Sequence, residues 1–183
     1  GEVGVIYLDA FGRDGKFEGG AHFTVQCGRR MPGGAYRSPR VVVSFDFTAA
    51  DGGHEPLLSH SHLETMLHEF GHVVHSMLGR ANYQHLSGTR TSLDIVEVPS
   101  TLMEYFAWDP RVIARFARHH RTGEPITDQL LRQLGRERNL FAGINAVQQI
   151  VYSAIDLELH DASPPSPSPP GAGEGGGAGG PQS

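Results

Sequence analysis

The 183-residue sequence predicts an α+β fold that is mainly helical and carries a small sheet. Three early stretches, 3–11, 21–27 and 40–47, hold β-branched and aromatic residues between loops that contain Gly or Pro, which is typical of strands. From residue 61 onward the apolar residues follow a helical period instead. A chain of this length has room for one domain or for part of a larger one. Because it opens on Gly1 and directly on a strand, we expect upstream sequence to be missing and the fold to be incomplete.

The helical half begins with a candidate capping box formed by Ser61 and Glu64. Apolar residues then recur at helical spacing, namely Leu63, Leu67, Phe70, Val74 and Met77. Gly79 is expected to end this helix. Three further helices are predicted at 100–107, 111–120 and 127–159, because "WDP" and "TGEP" break the pattern between them.

Composition excludes several classes of protein. The net charge is −5 and no block of Lys or Arg is present, which argues against a nucleic-acid partner or an anionic membrane surface. No apolar run approaches the roughly 20 residues that a membrane span needs. The single cysteine, Cys27, excludes an internal disulfide framework. The end of the chain, 162–183, consists mostly of Pro and Gly, so we expect a disordered tail after a folded region 1–161.

The segment "HEFGH", residues 68–72, indicates a metal site. Each residue of a helix advances about 100°, so His68 and His72 lie within about 40° of each other on one stripe and can converge on a zinc ion. Glu69 lies about 100° round, beside the metal, where a general base can take a proton from a water on the ion. The alternative is a solvated polar face on which two histidines fall by chance.

A third ligand decides between these interpretations, and two residues are candidates. His75 extends the stripe by one turn but lies further along the axis than the metal. Glu97 is the stronger candidate, because an unpaired carboxylate in its apolar segment would be costly and a cation would offset that cost. Pro99 favours a helix start near Glu97. Thr101 and Glu104 would then share its face as hydrogen-bond acceptors behind the histidines, although Glu104 fits an exposed helix carboxylate equally well.

The stretch "LETMLHEFGHVVHSMLGRANYQHLSGTRTSLDIVEVPSTLMEYF" resembles the active-site region of the M3 family of zinc oligopeptidases. The similarity covers nearly all of residues 1–160 and is specific, since the helix motif, the spacing to the glutamate and the "SGTR" loop occur together. The wording "EVPSTLMEYF" differs from the "EAPSQMLENW" type of the cytosolic members, which favours the mitochondrial branch of the family.

This resemblance implies one zinc ion per chain, with His68, His72 and Glu97 as ligands and Glu69 as catalytic base. It also implies a zincin-like metallopeptidase core, with residues 1–161 as a partial catalytic domain. The expected activity is hydrolysis of peptide bonds in unfolded peptides or precursor proteins in the mitochondrial matrix, removing N-terminal octapeptides from imported precursors. The sequence does not specify an oligomeric state.

The chain departs from the family after "LELH", where a Tyr- and Gly-rich segment that binds the oxyanion is expected and "DASPPSPSPP" stands instead. Tyr83, His85 and His22 are candidates to replace those oxyanion donors, although a surface or core role fits each of them better. Two alternatives therefore stay open. One is a truncated, catalytically silent zinc-binding or interaction chain, and the other is an M3 oligopeptidase that acts on short peptides.

Overall fold

The computed structural model describes residues 2–47 and 57–161. The predicted Pro/Gly-rich tail, 162–183, lies outside the described residues. Within them, the mainly helical α+β class with a small sheet is confirmed.

Three strands form the main sheet, and all three were expected from the sequence. They are β1 (Val5–Phe11), β2 (Gly20–Gln26) and β5 (Arg40–Phe47), arranged in the order β1-β5-β2. The central strand β5 pairs in parallel with β1 and antiparallel with β2. A second ribbon of two-residue strands, β3 (Arg29–Arg30) and β4 (Tyr36–Arg37), was not predicted, because a two-residue strand is too short to show an alternating pattern.

The core lies between β5 and the first helix. Val41, Val43 and Phe45 of β5 are fully buried. They form one cluster with Phe47 and with two residues of the helix, Val73 and Met77. Within the described residues, β2 is an edge strand of the sheet, and the first helix packs against both β2 and β5.

Helix α1 (His60–Leu78) carries the "HEFGH" motif. Its N-cap is Ser59, whose hydroxyl accepts from the backbone N–H of His62 at 3.2 Å, while the His62 side chain accepts from the backbone of Ser59. The predicted capping box of Ser61 and Glu64 is therefore wrong, and Glu64 instead accepts a hydrogen bond from the indole of Trp108. The predicted end at Gly79 is confirmed, since its N–H closes the last turn onto the carbonyl of His75.

Two faces of α1 are covered. Val73 and Met77 pack on the sheet, whereas Val74, which the sequence placed in the apolar repeat with Met77, is 40% exposed. The face that carries Gly71 lies against helix α3 (Val98–Trp108). A β-carbon at Gly71 would lie 2.4 Å from the Cα of Ser100, so only glycine permits this approach.

The remaining α-helices of the described residues are α2 (Leu93–Val96), α4 (Pro110–Phe116), α5 (Asp128–Asn139) and α6 (Ala142–His160), and Gln84–Leu86 forms one turn of 3-10 helix. The helix expected at 127–159 is thus two helices, and the helix expected at 111–120 ends at Phe116. The chain divides into two compact units, 1–140 and 141–183, and the prediction of one folded region 1–161 stays a prediction. Among the described residues, no helix has the length and apolar character needed to cross a membrane.

Candidate metal centre

Three side chains converge beside the buried face of α1. His68 and His72 come from α1, and Glu97 lies at the junction of α2 and α3. The Nε2 atoms of both histidines lie 3.3 Å from Oε2 of Glu97. One donor atom from each residue lies within 4.8 Å of the other two.

This group fits a zinc ion. Four ligands at about 2.0–2.1 Å in a tetrahedron are separated from one another by about 3.3 Å, and both nitrogen-to-oxygen distances have this value. Two imidazole nitrogens and one carboxylate oxygen are a donor set typical of catalytic zinc, which leaves a fourth position for water or substrate. Burial lowers the pKa of His72, and the neutral imidazole is the form that binds a metal.

Ser100 fixes the carboxylate of Glu97. Its hydroxyl lies 2.6 Å from Oε2 of Glu97 and 2.9 Å from the Glu97 carbonyl oxygen, so that it can donate to either. The hydrogen bond from Ser100 is the main reason that the pKa of Glu97 lies below its usual value. The Glu97 side chain is 57% exposed, so the expectation that it sits in an apolar environment was wrong. Sequence reasoning missed Ser100, whose signal was a serine in the first turn of the helix that follows Glu97.

Glu104 lies behind His68. Its Oε1 is 2.6 Å from Nδ1 of His68, so an N–H at Nδ1 donates to the carboxylate and leaves the Nε2 lone pair facing Glu97. Thr101, expected to act in the same way, is exposed, and its backbone N–H donates to the Glu97 carbonyl. No hydrogen bond between its side chain and either histidine is found in the part of the chain that the structure describes.

Glu69 is buried between α1 and the edge strand β2, with 8% of its surface exposed. Burial raises the pKa of its carboxyl group, and Glu97 raises it further, whereas His68 and the backbone amide of His22 lower it. A β-carbon built on Gly20 of β2 would lie 3.1 Å from Cγ of Glu69, which shows how closely the strand passes. Glu69 is not part of the group of three residues that could hold a metal ion.

His22 is the one predicted oxyanion donor that lies beside the ligands. Its ring centroid is 5.9 Å from that of His72, and its Nε2 is 3.1 Å from the hydroxyl of Ser76. Burial, followed by the neighbouring His72 and His75, lowers the pKa of His22 to about 4. His75 is half-buried and is not in the ligand group found among the described residues.

Tyr83 and His85 do not join this centre. Both belong to the segment 82–85 that follows α1, and Tyr83 is 71% exposed. They line a separate cavity, whose lining includes none of the three ligand residues.

A model of peptidase family M3 matches residues 1–170 of this chain. The chain belongs to peptidase family M3. This M3 chain is 43% identical over 164 residues to mitochondrial intermediate peptidase of Arabidopsis thaliana and 40% identical over 164 residues to mitochondrial intermediate peptidase of Homo sapiens. Each alignment covers 90% of this chain and 23% of the relative. Mitochondrial intermediate peptidase 2 of Cryptococcus neoformans is 35% identical over 87% of this chain. The M3 chain therefore spans about a quarter of the length of the curated relatives that it matches.

Proposed function

We propose that this M3 chain binds one zinc ion through His68, His72 and Glu97 and carries the catalytic centre of a zinc metalloendopeptidase. The observation that carries the proposal is the pair of 3.3 Å distances from the two imidazole Nε2 atoms to Oε2 of Glu97. Membership of a zinc-dependent peptidase family supports it. The zincin-like character of the core is part of the same proposal, because it is inferred from the family.

In this proposal, Glu69 is the general base that transfers a proton from the attacking water. Zinc, when bound, acts as a Lewis acid that polarises the scissile carbonyl and lowers the pKa of water to about 7. The Glu69 carboxylate takes a proton from the attacking water and passes it to the leaving amine. Since Glu69 is largely shielded from solvent, bulk water competes little for that proton.

Other side chains hold the centre in place. Glu104 keeps Nε2 of His68 directed at Glu97, and Ser100 limits the rotation of the Glu97 carboxylate. His22 lies over His72, so it is the member of the proposed oxyanion donors that is best placed to contact a substrate. Tyr83 and His85 would need a rearrangement to do so, because they line a different cavity.

The substrates are proposed from the relatives. Because relatives at about 40% identity are named mitochondrial intermediate peptidases, we assign this chain to mitochondria and to the processing of imported precursor proteins. Removal of N-terminal octapeptides in the matrix is the specific form of that activity. Unfolded peptide segments are the substrates that such a centre accepts.

The test compares the protein with its Glu69→Gln variant. Both should contain one zinc ion per chain by elemental analysis, since Glu69 is not a ligand. Only the unchanged protein should cleave a precursor peptide, because the amide is nearly isosteric with the carboxyl group but cannot accept the proton.

A zinc-free folded protein, or zinc held by His75 in place of Glu97, would contradict the metal assignment. If the Glu69→Gln variant keeps more than a few per cent of the cleavage rate, the assignment of Glu69 as general base is wrong. Zinc without any Glu69-dependent cleavage would favour the silent zinc-binding alternative.

A further inference from the structure

The cavity lined by Tyr83 and His85 has a volume of about 660 Å³ and lies outside the metal centre. Two segments line it, 29–32 and 82–85, and we call it the arginine pocket. Its volume falls within the range of about 300–1,000 Å³ that is typical of small-ligand sites. Neither Glu69 nor any of the three proposed metal ligands lines it.

The charge of the arginine pocket is opposite to that of the whole chain. Arg29, Arg30 and His85 line it, and neither Asp nor Glu does. Arg90 adds a further cation, with Nη1 3.4 Å from Nδ1 of His85. Among the described residues, no carboxylate forms an ion pair with Arg29, Arg30 or Arg90. In a chain with a net charge of −5, such a group of arginines without acidic partners is not explained by composition.

The arginines are held in place by neutral contacts. The β3–β4 ribbon fixes the backbone of Arg29 and Arg30. Nε of Arg30 donates to Oδ1 of Asn82 at 3.2 Å, and its Nη1 donates to the carbonyl of Gly34 at 3.2 Å. Nε of Arg29 is buried and has no hydrogen-bond partner among the described residues. An incoming anion would therefore meet an oriented Arg30 guanidinium, and no ion pair with a described residue neutralises the charge of Arg29 or Arg30.

The arginine pocket is linked along the chain to the elements around Glu69. Its two segments follow β2 and α1, the elements that flank Glu69. Helix α1 ends at Leu78, six residues after His72, which corresponds to about 9 Å along the helix axis. An extended peptide covers that distance in about three residues.

We propose that the arginine pocket binds a carboxylate of an unfolded peptide, either an acidic side chain or the C-terminal carboxylate, about three or more residues from the bond held at the metal centre. The inference rests on the proposed function in one respect, because it takes the ligand to be a peptide. Arginine recognises carboxylates through paired N–H···O bonds, whereas a neutral amide offers no charge to these unpaired cations.

The experiment measures peptide binding to the 183-residue chain in its Glu69→Gln form, so that cleavage does not interfere. Three labelled peptides of one length are compared: one with an internal Glu and an amidated C-terminus, its Gln counterpart, and the Gln counterpart with a free C-terminal carboxylate. We expect at least one carboxylate peptide to bind about 10- to 100-fold more tightly than the neutral one at low salt, as charge-assisted hydrogen bonds imply. The peptide that binds more tightly than the neutral peptide identifies which carboxylate is bound, the side-chain one or the C-terminal one.

Two variants act on the arginine pocket and one acts as a control. Arg30→Gln removes a cation. Asn82→Asp keeps the shape and the contact with Arg30 but neutralises its charge, so it tests the idea without removing an arginine that supports the fold. Both should abolish the preference for the carboxylate peptide. Arg132→Gln removes an exposed arginine from α5 and should leave the preference unchanged.

Two outcomes would overturn the inference: equal affinity for all three peptides, or the same loss of preference in Arg132→Gln as in Arg30→Gln, which would indicate a general effect of net charge. Zinc content is measured on the same samples. A carboxylate preference in a chain without zinc would reject the proposed function and keep the arginine pocket as a carboxylate site. Zinc binding without a carboxylate preference would reject the carboxylate site and keep the metal assignment.

Discussion

The contact between Glu104 and His68 determines which imidazole nitrogen is free to bind a metal. Because Nδ1 of His68 faces the carboxylate at 2.6 Å, its Nε2 is left as the acceptor that faces Glu97. A charged acceptor also makes the imidazole a stronger ligand, so the contact affects affinity as well as orientation.

We therefore expect Glu104→Gln to weaken zinc binding about 10- to 100-fold, since the amide can still accept the hydrogen bond but carries no charge. Competition with a chromogenic chelator measures the affinity directly. Glu137→Gln, which removes an exposed carboxylate from α5, is the matched control and should leave the affinity unchanged. An unaltered affinity in Glu104→Gln would assign Glu104 to packing alone.

For single residues, the sequence predicted that His68, His72 and Glu97 come together, and the structure brings them together, but the reason given for Glu97 was wrong. The helical spacing of His68 and His72 is a local property, so it could be derived without a structure. Glu97 was selected on the assumption that it is buried, yet its side chain is 57% exposed and is held by Ser100. Burial depends on how α3 packs against α1, and no pattern within either helix specifies that packing.

The pairing of α1 with α3 depends on one position without a side chain. A β-carbon at Gly71 would lie 2.4 Å from Cα of Ser100 and 2.6 Å from the carbonyl oxygen of Pro99. Both are backbone atoms, which cannot move aside as a flexible side chain can. The close approach brings the start of α3, and with it Glu97, to the histidines of α1.

Gly71→Ala should therefore lower the free energy of unfolding by about 1–3 kcal/mol, although alanine is the better helix former. Gly135→Ala in α5 is the matched control, because nothing lies within 4 Å of its added β-carbon and it should gain about 0.5–1 kcal/mol. Urea unfolding of both variants measures the difference. If both variants change the free energy of unfolding in the same direction, α1 and α3 are not close enough at Gly71 to exclude a β-carbon.

The elements that were predicted correctly are those with a long, regular pattern. Strands β1, β2 and β5 and helix α1 have such patterns, and each was found within a few residues. The cap of α1 was misplaced because His62 takes the position that Glu or Gln usually holds in a capping box. The break between α5 and α6 was missed because the residues at 140–141 are apolar and carry no Gly or Pro signal.

For the whole molecule, the residues assigned to the metal centre all belong to one of the two compact units. Every residue assigned to the centre lies in the unit 1–140. Helix α6 belongs to the other unit, and each of its residues is exposed. We therefore expect the unit 1–140 to hold the three proposed zinc ligands by itself.

A chain shortened to residues 1–140 should bind zinc with an affinity within a few-fold of that of the 183-residue chain. Zinc at 100 times its dissociation constant should raise the free energy of unfolding of both chains by about 2.7 kcal/mol, because it binds the folded state. Urea unfolding with zinc and with a chelator measures the gain, and His68→Ala should remove it. A gain found only in the longer chain would show that residues after 140 contribute to the site.

Strand β5 has a consequence for the exchange of backbone amide hydrogens with solvent. It is hydrogen-bonded on both sides, and Val41, Val43 and Phe45 have no exposed surface. Amides at such positions exchange only when the entire unit unfolds, whereas those of an exposed helix exchange through local opening. In heavy water, followed by mass spectrometry, the peptide covering 40–47 should retain its hydrogens longest and the peptide covering 142–160 should lose them early. Zinc should slow the first of these rates by the factor that corresponds to its binding free energy, because complete unfolding releases the ion. The rate at β5 would thus report occupancy of a metal centre that β5 itself does not supply.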